Sequence, residues 1–482
     1  MKKEEIPIDF YFPPEATYHA AIRAKELLYS SKDSCELLPY FTHLEICFVN
    51  GINQHSLFNL PKIFNLFINY ANLLYQKCGR KEKLTADVLI VGECRRTNEI
   101  QTMKRLITSL ARQKKSMIYI VSRSTLEYKI IHEFVKNENI KKITIFDSYP
   151  RNILEKVFVY SLSLHRVITI QQMINALLPD NIIIKSNPLK RIITPAIAQT
   201  VWHKYRDCLQ FNELFIRNHW TPFSATIAID IIHSGKKITT SQHGIASTPY
   251  WAPIIATHCL CFGNPSVETL SKIDRDMAIK TMNLQYCNKF IPVGSLFDDI
   301  SILPSNFGKK TLLVIDQNQS WAIKYYGIRE SILKLQQIVG EILNENIGFK
   351  KVIIRLHPDN KKPQFWINLV KKYPNILEIS KPNENSLTFD LSRSSFSLGL
   401  FSGALVTSAA RGIPPLFIWQ PGWFYTPDLS CFLNGNFFNP DQIFTVLKKY
   451  LHHSDDYEGF RRKSIDTSAQ YYHNHEMYDF HE

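Results

Sequence analysis

The chain has 482 residues, 45% apolar and 21% charged, with 17 Gly and 24 Pro, a globular composition that excludes collagen-like, low-complexity and disordered classes. Its length exceeds the roughly 250 to 300 residues at which a single core stops growing, so two domains are expected. Lys and Arg outnumber Asp and Glu by 57 to 43, a net charge of +14 spread along the chain, which favours anionic partners.

In chain order, the amino terminus MKKEEIPIDFYFPPE carries acids and prolines where a secretory signal has an apolar run, so a cytoplasmic location is expected. Short apolar, β-branched runs follow at 44–49, 86–91, 117–121, 142–146, 166–170 and 181–184, with helix-length segments between them. That alternation predicts a parallel sheet covered on both faces. The pattern reads as helical over 196–220. Thr221-Pro222 then opens a helix in cap-then-proline order, ending before Gly235. A strand at 237–241 runs into Gln242-His243-Gly244.

A second series begins after the linker-like segment 301–308. Its predicted strands are 311–315, 351–356, 376–379, 396–400 and 415–418, and its predicted helices 326–343, 363–372, 403–411 and 441–452. The chain therefore reads as two doubly wound α/β halves. Ligands of such sheets gather at the carboxyl ends of the strands, here in a central cleft.

The stretch 238–267 lacks Lys, Arg, Asp and Glu but is broken by prolines, and 394–410 falls short of the roughly 20 residues of a membrane span, so no transmembrane helix is expected. Nine cysteines without a CxxC pair are expected to be reduced thiols. No metal or cofactor is expected, the tail histidines His473, His475 and His481 included. Without zinc-finger spacing or an RNP-like run, no nucleic-acid partner is expected.

Three motifs lie at predicted strand ends. In Gln242-His243-Gly244, the glycine permits a tight turn that presents His243 as a base or donor, or leaves it bonded to a loop carbonyl. In Arg355-Leu356-His357-Pro358-Asp359, proline restricts the backbone of His357 at the cleft edge, where an imidazole suits an anionic leaving group or simply flanks a turn. In the run from Gly399 to Pro414, Ser402-Gly403 opens a helix whose N-H groups and positive end form a phosphate site or an ordinary N-cap. Gln317, Gln319 and Ser320, after strand 311–315, are further candidates for phosphate. Glu93 and Arg95, after strand 86–91, are candidates for addressing an acidic acceptor.

The order of QHG, Pro253, Cys261-Phe262-Gly263-Asn264, Ile291-Pro292-Val293-Gly294-Ser295, RLHP and the S-G…RGIP helix resembles GT-B glycosyltransferases of bacterial surface-polysaccharide assembly. It is similar in particular to capsule-type enzymes that use CMP-activated sugars, the sialyl- and Kdo-transferases. The resemblance covers about 221–418. It implies a GT-B fold of two Rossmann-like domains, with an acceptor-side domain at 1–300, a donor domain at 309–454 and a tail at 455–482 that crosses back to the first.

It further implies transfer of an acidic sugar from a CMP donor to a glycan or lipid-linked glycan acceptor, and the excess positive charge adds the expectation of an anionic membrane surface as partner. His243 and His357 become the catalytic pair. Arg355, Pro358, Ser402, Gly403, Thr407, Gln317, Gln319 and Ser320 fall to the donor, and Gln242, Gly244, Glu93 and Arg95 to the acceptor. The acidic tripeptide that supplies the base in sialyltransferase-like members does not occur, and Thr407 stands where many diphosphate-sugar relatives have a glutamate. A CDP-polyol phosphotransferase, a UDP-sugar transferase or 2-epimerase, and a non-catalytic binding protein are the alternatives.

Overall fold

The computed structural model describes residues 9–16, 18–29, 48–50, 83–94, 97–121, 125–148, 153–177, 182–184, 188–242, 244–247, 252–280, 286–295, 300–317, 320–360, 363–382 and 384–472. Its strands are β1 (Phe48–Asn50), β2 (Leu84–Val91), β3 (Met117–Val121), β4 (Ile143–Asp147), β5 (Ile182–Ile184), β6 (Leu209–Ile216), β7 (Lys237–Ser241), β8 (His258–Cys261), β9 (Lys289–Pro292), β10 (Thr311–Ile315), β11 (Lys351–Arg355), β12 (Leu377–Ser380), β13 (Phe396–Gly399), β14 (Pro415–Ile418) and β15 (Phe437–Phe438).

Two parallel sheets organise the chain. One has seven strands in the order β4-β3-β2-β6-β7-β8-β9, the other six in the order β12-β11-β10-β13-β14-β15. A short antiparallel pair, β1 with β5, stands apart. The central strands have apolar, buried middles: Leu89, Ile90 and Val91 of β2 and Leu312, Leu313 and Val314 of β10 have no exposed surface. Burial on both faces is what helices on both sides of a parallel sheet require. Each half reverses its strand order once, between β2 and β6 in the first and between β10 and β13 in the second. The chain is thus α/β, with two doubly wound halves, as in the GT-B fold.

Two expectations are corrected. The run 166–170 is not a strand but lies inside the helix Ile153–Leu177. A short β-branched run does not separate a strand from a segment of buried helix, and this helix is apolar on nearly every side. Conversely, 196–220 is not one helix. The helix Pro188–Tyr205 ends in a 3₁₀ turn at Arg206–Cys208, and β6 follows, pairing in register with β2 from Leu84↔Leu209 to Val91↔Ile216. The half-alternating burial of LQFNELFI is the strand signal that the helical reading passed over.

The halves touch through specific bonds. Asp428, in the 3₁₀ segment Pro427–Asn434, reaches Ala246 and Ser266 of the first half. The helix Ser454–Tyr471 ends with Tyr471 and Tyr472 packed on Phe262, at ring separations of 6.0 and 5.5 Å. Among the described residues no helix is long and apolar enough to cross a membrane.

Candidate functional site at the two strand-order reversals

The reversal in the second half lies where β10 and β13 end. Gly399 allows close approach there: a Cβ would stand 3.2 Å from the Ile315 carbonyl oxygen of β10. After β10 come Asp316 and Gln317. The Asp316 carboxylate is buried and accepts from Asn360 Nδ2 at 2.7 Å and Trp366 Nε1 at 3.1 Å, and its N–H donates to the Arg355 carbonyl at 2.9 Å. These bonds pin the turn His357-Pro358-Asp359-Asn360, which leaves β11, to the end of β10. Gln317 is 7% exposed, and its Oε1 has no protein partner. A buried acceptor left unmade costs about 1–3 kcal/mol, so such an oxygen calls for a ligand donor.

His357 is a quarter exposed, and its Nδ1 accepts the Asp359 N–H at 3.1 Å. An acceptor Nδ1 places the proton of the neutral ring on Nε2, which becomes the donor of this side chain. Pro358 holds the turn that makes this bond. Arg355 is engaged elsewhere: its Nη1 donates to Asp390 Oδ2 at 2.5 Å and to the Asn385 carbonyl at 3.2 Å, so its guanidinium braces the helix Leu387–Ser392.

After β13, Ser402 is the N-cap of the helix Gly403–Ala410, its Oγ accepting the Ala404 N–H at 3.3 Å. Ser402, Gly403 and Ala404 are half-buried, and a Cβ on Gly403 would meet nothing within 4 Å, which leaves the positive helix end approachable. Thr407 lies inside. Its hydroxyl bonds the Gly403 carbonyl at 3.0 Å and the Tyr472 hydroxyl at 3.3 Å, so this position is covered by the end of the last described helix. Ser320 opens the helix Ser320–Tyr326.

In the first half, β2 ends at Gly92-Glu93-Cys94. A Cβ at Gly92 would overlap the Tyr119 hydroxyl and Glu127, so only glycine lets β3 and the helix Thr125–Asn137 close over this point. Glu93 has a positive φ of 46° and is 2% exposed. Its Oε2 accepts from the N–H and the hydroxyl of Ser224, both at 2.8 Å. It thereby caps the helix Pro222–Ile231, whose N-cap Thr221 makes no side-chain cap bond. Glu93 Oε1 has no protein partner.

Around Glu93 are groups the sequence reading missed. Glu127 accepts from the Tyr119 hydroxyl at 2.7 Å and the Cys94 N–H at 3.2 Å. Burial pushes its carboxyl up to about 7 against those two hydrogen bonds. Arg217, directly after β6, pairs with Glu99 at 3.3 Å and donates from Nε to the Gly92 carbonyl at 3.1 Å. Reading 196–220 as helix hid Arg217, since only as the residue after a strand does it fall at the cleft.

Gln242, after β7, is wholly engaged by its neighbours: Nε2 donates to the Gly244 carbonyl at 2.8 Å and to Ser266 Oγ of the helix Asn264–Lys280 at 3.0 Å, and Oε1 accepts the N–H of Phe262, just after β8, at 2.8 Å. His243, Arg95, Gln319, Tyr250, Trp251 and the tail histidines lie outside the described residues. Trp419, Trp423 and Phe424 are buried together beside Phe401, at the ends of β13 and β14. No group of His, Cys, Asp and Glu among the described residues is arranged to hold a metal.

No protein-family model matches the chain, and no curated protein matches it significantly in sequence. Several solved structures align with most of its length. A putative UDP-N-acetylglucosamine 2-epimerase from Listeria monocytogenes aligns with a TM-score of 0.47 at 10% identity, covering 81% of this chain and 93% of that one. The MnaA–UDP structure from S. aureus gives 0.46 at 11% identity, covering 80% and 92%. A UGT transferase from Siraitia grosvenorii in complex with UDP gives 0.43 at 8%, covering 80% and 95%. At these identities the likeness is one of fold.

Proposed function

We propose that the chain is a glycosyltransferase that takes its sugar from a nucleotide-activated donor bound at the reversal of the second half. The observation that carries this reading is the grouping of donors and an acceptor at one strand-order reversal: His357 with its Nε2 proton, the helix start at Ser402-Gly403, and the unpartnered Gln317 Oε1. Imidazole and helix end suit phosphate oxygens, and a buried amide oxygen suits a ribose hydroxyl. In transfer, the acceptor hydroxyl attacks the anomeric carbon, its proton passes to a base, and the bond to phosphate breaks with its electrons leaving on the nucleotide. His357 and the helix end stabilise that developing charge.

The resemblance to CMP-sugar enzymes and the absence of a carboxylate at Thr407 favour a CMP-linked donor, but the Thr407 hydroxyl bonds the Tyr472 hydroxyl at 3.3 Å, so the class of donor is proposed and its nucleobase is left to the binding screen. The acceptor is proposed to be a glycan held near an anionic membrane, which the charge of +14 suits.

A second reading, a sugar-nucleotide epimerase, is favoured by one observation: the buried Glu93, Glu99, Glu127 and Arg217 gather acidic and basic groups around the end of β2 in the first half. The test is a binding screen of CMP, CDP, UMP, UDP and GDP, followed by incubation of the matching sugar nucleotides with and without an acceptor extract. Nucleotide released only with acceptor supports transfer. Sugar isomerised without acceptor or net nucleotide release supports epimerisation, and a chain that binds none of the five nucleotides sinks both.

A further inference from the structure

The end of β2 is built at a cost that helix capping alone does not explain. Glu93 is held in the left-handed region, which a residue with a long side chain seldom adopts, and such strain persists only where the surroundings over-determine it. One carboxylate oxygen suffices to cap the helix Pro222–Ile231, and Oε2 alone takes both bonds from Ser224. The other oxygen is buried, acceptor-only and unpartnered. It lies at the reversal between β2 and β6, where open α/β sheets take their ligands.

We propose that this point of the first half is a binding site for a neutral or amine-bearing sugar ring, anchored by a ligand hydroxyl or ammonium that donates to Glu93 Oε1. The proposal rests on the reading of the chain as a sugar-nucleotide enzyme. Among the described residues the buried layer holds three carboxyl groups, Glu93, Glu99 and Glu127, against one guanidinium, Arg217, and the guanidinium is already paired with Glu99. A ligand carboxylate brought to Glu93 meets a like charge in a poorly screened place, whereas a hydroxyl or ammonium supplies the missing donor. This reverses the expectation that Glu93 addresses an acidic acceptor.

The experiment uses the full chain and ligand-observed NMR, with methyl glucoside, methyl glucosaminide and methyl glucuronide as probes, alongside UDP and CMP binding. The glucoside and glucosaminide are expected to bind and the glucuronide to bind at least severalfold more weakly. Glu93→Gln keeps an oxygen for the helix cap but removes the charge. It should weaken the two favoured probes about tenfold, the scale of a lost charged hydrogen bond, while leaving nucleotide binding within twofold.

Ser224→Ala disturbs the cap and spares Oε1, so it should leave probe binding within twofold even if Glu93→Gln proves unstable. Unchanged binding in Glu93→Gln, preference for the glucuronide, or loss of binding in Ser224→Ala overturns the proposal. So does nucleotide binding with no response to any glycoside. A glycoside site that responds to Glu93 in a protein that binds no nucleotide upholds the site and removes the sugar-nucleotide reading. Displacement of the probe by a sugar nucleotide, but not by its free nucleotide, assigns the ring to the donor. Simultaneous binding of both assigns it to the acceptor, and either result supports the site.

Discussion

Asp428 Oδ2 accepts the backbone N–H of Ala246 at 2.7 Å, across the boundary between the two halves. The same carboxylate takes the Tyr471 hydroxyl at 2.8 Å and, on Oδ1, the Ser266 hydroxyl at 2.7 Å. Ser266 in turn accepts from Gln242, so the end of β7 is linked to the second half and to the last described helix through one side chain. Burial pushes the Asp428 carboxyl up, and these three hydrogen bonds pull it back.

Asp428→Ala leaves a buried N–H and two buried hydroxyls without their acceptor. It is expected to destabilise the chain by about 3 kcal/mol or more, with Asp428→Asn losing less because its remaining oxygen still accepts. Urea denaturation followed by tryptophan fluorescence checks the order. Equal stability of wild type and the alanine variant is the contrary result.

His357→Ala should lower turnover by about 10² to 10³ with the fold kept, since the side chain is partly exposed and removes one preorganised donor. Gln, whose amide N–H reaches as far as Nε2, should retain more activity than Asn, which stands nearer Nδ1. Steady-state kinetics on the nucleotide found in the screen reads this directly. Better rescue by Asn would show that the bond to Asp359, and not Nε2, is what matters.

Gln317 separates a ligand contact from a structural one. With no protein partner for Oε1, Gln317→Leu removes a buried acceptor without orphaning another group. Stability should stay level or rise by about 1 kcal/mol while nucleotide affinity falls roughly tenfold. Paired thermal unfolding and calorimetric titration decide it: a variant that loses stability and keeps affinity marks Gln317 as structural.

The second half was largely legible in the sequence because its strands are short, mostly apolar at their centres and bounded by Pro, Gly or polar turns. β10 and β14 fall at 311–315 and 415–418, as the pattern indicates. Local pattern also exposes strand ends, and so Gln317, His357, Ser402 and Glu93 stood out as candidates. What it cannot show is which partners those groups meet through space. Arg355 is spoken for by Asp390, 35 residues away, and Thr407 by Tyr472, 65 residues away. The carboxylate layer of the first half was obscured for another reason. Apart from Glu93, its charged members lie in helices or beyond the misread β6, where spacing along the chain says nothing of convergence.

The excess positive charge predicts attraction to anionic vesicles by a surface patch, with binding that falls steeply as salt rises, since screening sets in over roughly 8 Å at physiological ionic strength. Sedimentation with phosphatidylserine vesicles at low and high salt measures it. Absence of binding at low salt removes the membrane-surface part of the proposed function and leaves the transfer reading to stand on nucleotide binding.

Glu127 gives the first half a pH signature. Its carboxyl is raised from 4.5 to about 7 by burial, so between those values the folded chain holds a proton that the unfolded chain has released. Stability therefore falls as pH rises through this window: the contribution is complete below about 4.5 and lost above about 7. Asp274, raised by burial from 3.8 to about 7, acts in the same direction. Asp428, whose carboxyl burial also pushes up, adds to it; Glu127→Gln resembles the protonated side chain at every pH and removes only the Glu127 contribution. Between pH 5 and 8 the wild type is expected to lose roughly 2 to 3 kcal/mol more than the variant. Chemical denaturation at four pH values tests the slope. Parallel pH profiles for the two proteins would mean that Glu127 is ionised in the folded chain throughout this range, and that the Tyr119 and Cys94 hydrogen bonds outweigh its burial.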